Sequence, residues 1–129
     1  MATEILVNDG GAPARILPFT AGSTITAGNC VQMGGDGQVD NHAGTDGKPL
    51  GLSLTTVTSG AIASIITGHG VVLNANCTGT IGLGDGVATV AAGNVGPSSA
   101  AANSIGYYID PSGAHSGALT AQQILYLGL

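Results

Sequence analysis

The residues able to do chemistry are few and scattered along the 129-residue chain. The histidines are His42, near Asp40 and Asp46, His69, near Thr67, and His115, near Asp110. None has the i, i+4 or Cys-x-x-Cys type of spacing that brings zinc ligands together. Asp36, Asp40 and Asp46 share one segment, but their spacing matches neither an EF-hand loop nor a repeat calcium site. They read as a solvated acidic loop. A reactive thiol needs a base and an electropositive setting. Arg15 and Lys48 are the only Lys or Arg, and neither is near Cys30 or Cys77 in sequence. Both cysteines therefore read as reduced, buried small residues. Gly82-Leu83-Gly84-Asp85-Gly86 overlaps part of a dinucleotide fingerprint, but no helix follows and the third glycine is misplaced. Gly47-Lys48 is followed by Pro49, where a phosphate loop needs Ser or Thr. Paired carboxylates for glycoside hydrolysis are not arguable, and aromatic residues for a sugar platform are short. The expectation is no catalytic residue, no cofactor, no metal and no enzyme activity.

The elements that would have to position any site read as strands. Turn signals recur every ~8–12 residues from Thr24 onward, the spacing of a sandwich or barrel. The expected strands are Ser23–Ile25, Asn29–Met33, Leu50–Thr55, Ala61–Thr67, Val71–Ala75, Gly79–Ile81, Gly86–Ala91, Ile105–Ile109 and Gln122–Leu127. Gly34-Gly35-Asp36-Gly37 suits a tight hairpin, and Asp110-Pro111-Ser112-Gly113 a turn with proline preset at its second position. Residues Asp40–Lys48 and Asn94–Asn103 read as loops, with a short helical turn within Pro97–Ala102. No long helix is expected: no 12-residue window is both free of glycine and apolar at helical spacing.

The strands come in two similar sets. Thr24-Ile25-Thr26-Ala27-Gly28-Asn29-Cys30-Val31 is echoed, 56 residues on, by Thr80-Ile81-Gly82-Leu83-Gly84-Asp85-Gly86-Val87. Leu50-Gly51-Leu52 is echoed by Ile105-Gly106-Tyr107-Tyr108-Ile109, and Ile65-Ile66-Thr67-Gly68 by Ile124-Leu125-Tyr126-Leu127-Gly128. The reading is an all-β chain, a compact β-barrel or β-sandwich of two similar half-units, about 20–73 and 74–129. Residues 1–19 precede this single β domain as an extended N-terminal arm, with Pro13 and Pro18 favouring an arm or an edge segment.

Composition narrows the partners. Seven acidic residues against two basic ones disfavour direct nucleic-acid binding, which needs clustered Lys and Arg, and equally an anionic membrane surface. No stretch approaches the ~18 apolar residues of a membrane span. The start, Met1-Ala2-Thr3-Glu4, lacks the basic and apolar runs of a signal peptide, so synthesis in a cytoplasm is expected. Only 7% of residues are charged, which leaves a neutral surface suited to being covered by a partner.

The repeated pattern is similar to a known family. Thr24-Ile25-Thr26-Ala27-Gly28-Asn29-Cys30-Val31-Gln32-Met33, then Lys48-Pro49-Leu50-Gly51-Leu52-Ser53-Leu54 and Ser59-Gly60-Ala61, resembles the small capsid decoration (cement) proteins of tailed bacteriophages. The second half repeats the grammar through Ser104-Ile105-Gly106-Tyr107 and Ser116-Gly117-Ala118, so the resemblance spans residues 20–129. Asn29 departs from it, standing where such proteins often carry Asp. The resemblance implies a homotrimer on the outer surface of a virion head, covering junctions between capsomers of the major capsid protein and touching neighbouring cement proteins. On that reading the arm supplies capsid-facing anchors, Ile5, Leu6, Val7, Ile16, Leu17 and Phe19, with Arg15 pairing a capsid carboxylate. Alternatives are another phage structural β-module, of a tail or spike, or a small ligand- or sugar-binding module.

Overall fold

The computed structural model describes residues 4–6 (backbone only), 15–44, 49–68, 70–98 and 104–127. Eleven strands occur among them: β1 Glu4–Leu6, β2 Arg15–Thr20, β3 Cys30–Met33, β4 Val39–Asn41, β5 Gly51–Ser53, β6 Ile62–Thr67, β7 Val71–Cys77, β8 Gly86–Thr89, β9 Val95–Pro97, β10 Ser104–Tyr108 and β11 Thr120–Tyr126. They form two sheets. One runs β2-β6-β5-β3-β4, and the other β1-β7-β11-β10-β8-β9. Leaving out β1, the two orders are the same order written twice.

The correspondence holds residue by residue. Leu52 pairs with Cys30 on one side and Ile66 on the other. Tyr107 pairs in the same way with Gly86 and Leu125. Met33↔Val39 is matched by Thr89↔Val95, and Arg15↔Thr67 by Val71↔Tyr126. Closure is matched too. Cys77 pairs in parallel with Val95, which joins β7 to β9 and closes the second sheet into a five-stranded barrel. The first sheet makes the same contact as a single parallel bridge, Ala21↔Val39. The all-β, two-unit expectation is therefore met.

Two glycine pairs show why the repeat is so constrained. Gly28 and Gly84 have φ of 90° and 83°, inside turns closed by Asn29 N–H to Thr26 O at 3.0 Å and Asp85 N–H to Gly82 O at 3.1 Å. Only glycine reaches that backbone region without strain. Gly51 and Gly106 lie in strands, where a Cβ would strike the carbonyl oxygens of Ile66 and Leu125 respectively. Each lets neighbouring backbones approach closely.

Several local expectations are corrected. The segment read as a loop at Asp40–Lys48 begins inside β4, and the one at Asn94–Asn103 contains all of β9. Asp40, Asn41, Gly96 and Pro97 are poor strand formers, and pairing with β3 and β8 overrides that preference. Pro97 is extended rather than helical, and among the described residues a short 3-10 turn lies at Ala91–Gly93; residues 99–103 are outside that set. Ser23–Ile25 and Gly79–Ile81 contribute isolated bridges only, Ile25↔Val57 and Ile81↔His115. Arg15–Phe19, read as arm or edge segment, takes the second alternative: it lies in β2, at the end of the sheet order, and pairs with β6 along its whole length. Pro18 is compatible with that place because β2 has a full partner on one side only.

Side chains alternate across the pleat. In the first unit Val31, Val39, Ala63 and Ile65 join Ala21 and Ile25 in one core, with Phe19, Leu50 and Val57 packed against it. The opposite face of the same strands, Cys30, Leu52 and Ile66, is buried in the core of the second unit. Strands β3, β5 and β6 are thus covered on both sides. Buried apolar area at roughly 25 cal/mol per Å² is the main favourable term in such a fold. Here it is divided between two small cores and the join between them.

Candidate docking surface

The chemistry-bearing side chains are committed to structure. His42 is buried; its Nδ1 accepts from the Gly44 N–H at 2.9 Å and its carbonyl from the Gly93 N–H at 2.8 Å. His115 is also buried, with Nδ1 2.7 Å from the Gly79 carbonyl oxygen and Nε2 2.9 Å from the Thr120 hydroxyl. His69, Asp46 and Lys48 fall outside the described residues. Three aspartates cap turns. Asp36 accepts from the Gln38 N–H at 3.0 Å, and Asp85 from the Gly82 N–H at 2.8 Å. Asp110 accepts from the Ser112 and Gln123 N–H groups, each at 2.8 Å. Desolvation alone would raise the Asp110 carboxyl, but these hydrogen bonds outweigh it and hold the group below its ordinary value.

Burial pushes the Cys30 thiol up to about 12, opposed by a contact with the Thr89 hydroxyl and reinforced by nearby Cys77. That hydroxyl is buried and meets no partner of standard hydrogen-bond geometry, so the contact is a weak one. Burial, with Asp110 adding to it, pushes Cys77 up to about 12 as well. Both thiols are free. Neither is a nucleophile near neutral pH, because the thiolate is the reactive form. Among the described residues no group of three or more His, Cys, Asp or Glu is arranged to hold a metal ion. Among the described residues no helix is long and apolar enough to cross a membrane.

The fold leaves several large apolar side chains outward. Ile16 and Leu17 are 51% and 38% exposed, on opposite faces of β2, beside the exposed Arg15. Phe19 is half-buried against the first core, so its ring is largely occupied by packing. Ile5 and Leu6 pair with Val72 and Val71 at the edge of the second sheet, and Val7 lies outside the described residues. The seven candidate anchors therefore do not form one row: Ile5 and Leu6 sit on the second unit, Arg15 to Phe19 on the first. Sequence reasoning missed Met33, Leu83 and Tyr107, which are 47%, 59% and 46% exposed. The repeat carried no signal for two of them, because equivalent positions differ in burial. Met33 aligns with Thr89 and Tyr107 with Leu52, and in both pairs one member is covered and the other is not.

The architecture is a tandem of two equivalent five-stranded β units joined face to core. It is similar to the crystal structure of the head fiber gp8.5 N base of bacteriophage phi29, with a TM-score of 0.67, 18% sequence identity, 90% of this chain covered and 98% of that one. At that identity the likeness is one of fold. No protein-family model matches the sequence, and no curated protein does.

Proposed function

We propose that this chain is a structural protein of a phage virion. The observation that carries the reading is the shared fold, over nearly the whole of both chains, with a protein described as the base of a phage head fiber. The resemblance of the repeated Gly-containing motifs to capsid decoration proteins points the same way. In the finer reading the chain is a decoration or cement protein that acts as a homotrimer. It binds the outer surface of the head, contacts the major capsid protein and its own neighbours, and has no catalytic role. Exposed apolar side chains on a weakly charged surface favour a broad docking contact over steering by charge. Binding that requires the assembled shell would stabilise that shell by linkage, RT ln(1 + [L]/Kd) per site.

The test is co-sedimentation of the purified protein with phage heads and, separately, with phage tails. Saturable binding to heads that raises their resistance to heat or chelators is the expected result. Binding to tails alone would move the protein to a tail or spike module, and binding to neither would remove the virion reading.

A further inference from the structure

The join between the two units is a contact with two different halves, and each half has an unused copy on the same chain. One half is the row Cys30–Leu52–Ile66 on the outer face of the first unit. The other is the second unit around Thr89, Cys77 and Tyr126. Cys30 touches Thr89 and shares one buried cluster with Cys77 and Tyr126. Polar bonds fix the register of the join: the Asn76 backbone N–H donates to Gly28 O at 3.1 Å, and its side-chain amide to Asn29 Oδ1 at 2.6 Å.

The register correspondence locates the unused copies. The counterpart of Cys30–Leu52–Ile66 is Gly86–Tyr107–Leu125 on the second unit. Leu52 is 1% exposed and Tyr107 is 46% exposed. The counterparts of Thr89, Leu73 and Val71 are Met33, Leu17 and Arg15 on the first unit. Leu73 and Val71 are each 1% exposed, whereas Met33 and Leu17 are 47% and 38% exposed and Arg15 is open to solvent. Three of the exposed apolar residues, Leu17, Met33 and Tyr107, thus fall where the internal join leaves each half unmatched.

From this we infer that a second copy of this chain docks head to tail. The Gly86–Tyr107–Leu125 face of one molecule packs on the Met33–Leu17 surface of the next, in the arrangement that already joins the two units within a chain. The occupant is argued from continuity with the internal join, which shows that surfaces of this register are complementary. A contact of two unlike halves does not cap itself. It closes into a ring if the rotation permits and extends into a filament otherwise, so a ring of n chains would hold 2n equivalent units. The inference concerns self-association only and stands whether or not the virion reading holds.

Sedimentation velocity of the full chain over a concentration series tests it. The expected result is an assembly larger than one chain. Met33→Glu and Tyr107→Glu each alter an exposed side chain, and each should weaken association by more than about tenfold. Mixed together, the two variants should form a heterodimer and nothing larger, because one sound pair of halves remains. A second measurement does not depend on those substitutions. Met33→Cys on one chain and Gly86→Cys on another occupy the places of Thr89 and Cys30, which touch. A Cβ at Gly86 comes no nearer than 3.4 Å to any neighbour, so the cysteine fits. Mild oxidation should link these two chains to each other and neither to its own kind. A wild-type chain that stays monomeric throughout, a Glu variant that associates as the wild type does, or failure of the Met33→Cys and Gly86→Cys chains to cross-link overturns the inference.

Discussion

Leu52 and Tyr107 hold the same register position in the two units, yet Leu52 is sealed beneath the second unit and Tyr107 faces solvent. The sequence treats the positions alike, with a glycine before each and an apolar strand after. The difference in burial comes from what happens to lie above the strand.

That difference sets their energetics apart. Leu52→Ala should cost about 2–5 kcal/mol, the range for truncating a fully buried leucine. Tyr107→Ala, measured in dilute monomer, should stay within about 0.5 kcal/mol of the parent, as exposed substitutions do. Urea denaturation of both variants checks this, and equal losses would mean that the join does not cover Leu52.

Gly51 and Gly106 should tolerate no side chain. Gly51→Ala and Gly106→Ala each place a Cβ against a backbone carbonyl that cannot rotate away. Each should lose at least about 1–3 kcal/mol, the usual cost of overpacking. Gly35→Ala, whose Cβ would meet nothing within 4 Å, should be nearly neutral and serves as the control in the same denaturation series.

Stability should fall in alkali. In the folded chain the Cys30 thiol ionises at about 12, against an ordinary value of 9.0. Between those limits the unfolded chain gives up its proton and the folded one keeps it. The stabilisation is therefore complete below pH 9.0 and is lost as pH rises toward 12, with a slope of about 1.4 kcal/mol per pH unit from this one group. Tyr126, also pushed up by burial, acts in the same direction. Cys30→Ala should flatten, without abolishing, the loss seen when melting temperature is followed above pH 9.0. A wild-type curve flat across that window would show that the thiol is not buried.

His115 should matter as a brace. Its ring spans Gly79 O on one side and Thr120 Oγ1 on the other, with Ala118 O 3.0 Å from Nε2. His115→Ala leaves the part-buried Gly79 and Ala118 carbonyls without that partner, a loss of about 1–3 kcal/mol. Val57, its counterpart in the first unit at the Ile25 bridge, carries no such role. Val57→Ala should therefore lose only packing, and thermal melts of the two variants distinguish the cases.

Much of the architecture was legible in the residues. Gly28 and Gly84 marked equivalent turns because a positive φ demands glycine, and Gly51 and Gly106 marked equivalent close approaches. The hairpin at Gly34–Gly37 and the turn at Asp110–Gly113 form as their residues require; the Gly113 N–H donates to Asp110 O at 3.1 Å. The strands at Val39–Asn41 and Val95–Pro97 were illegible, since Asp, Asn, Gly and Pro there look like loop and are held extended only by the neighbouring strand. Phe19 read as an arm residue because proline neighbours hide a strand that a distant partner, β6, supports.

The sequence by itself determined an all-β chain, the twofold repeat and its turn positions, because these depend on local backbone preference and side-chain alternation. It also determined that no reactive cluster lies at local spacing. Only the tertiary structure decided which face of each repeat is covered. Cys30, Leu52 and Ile66 are buried because a second unit sits on them, while Gly86, Tyr107 and Leu125 have no third unit to do the same. Burial of a strand's second face is a property of what packs against it, and no spacing within the strand encodes it.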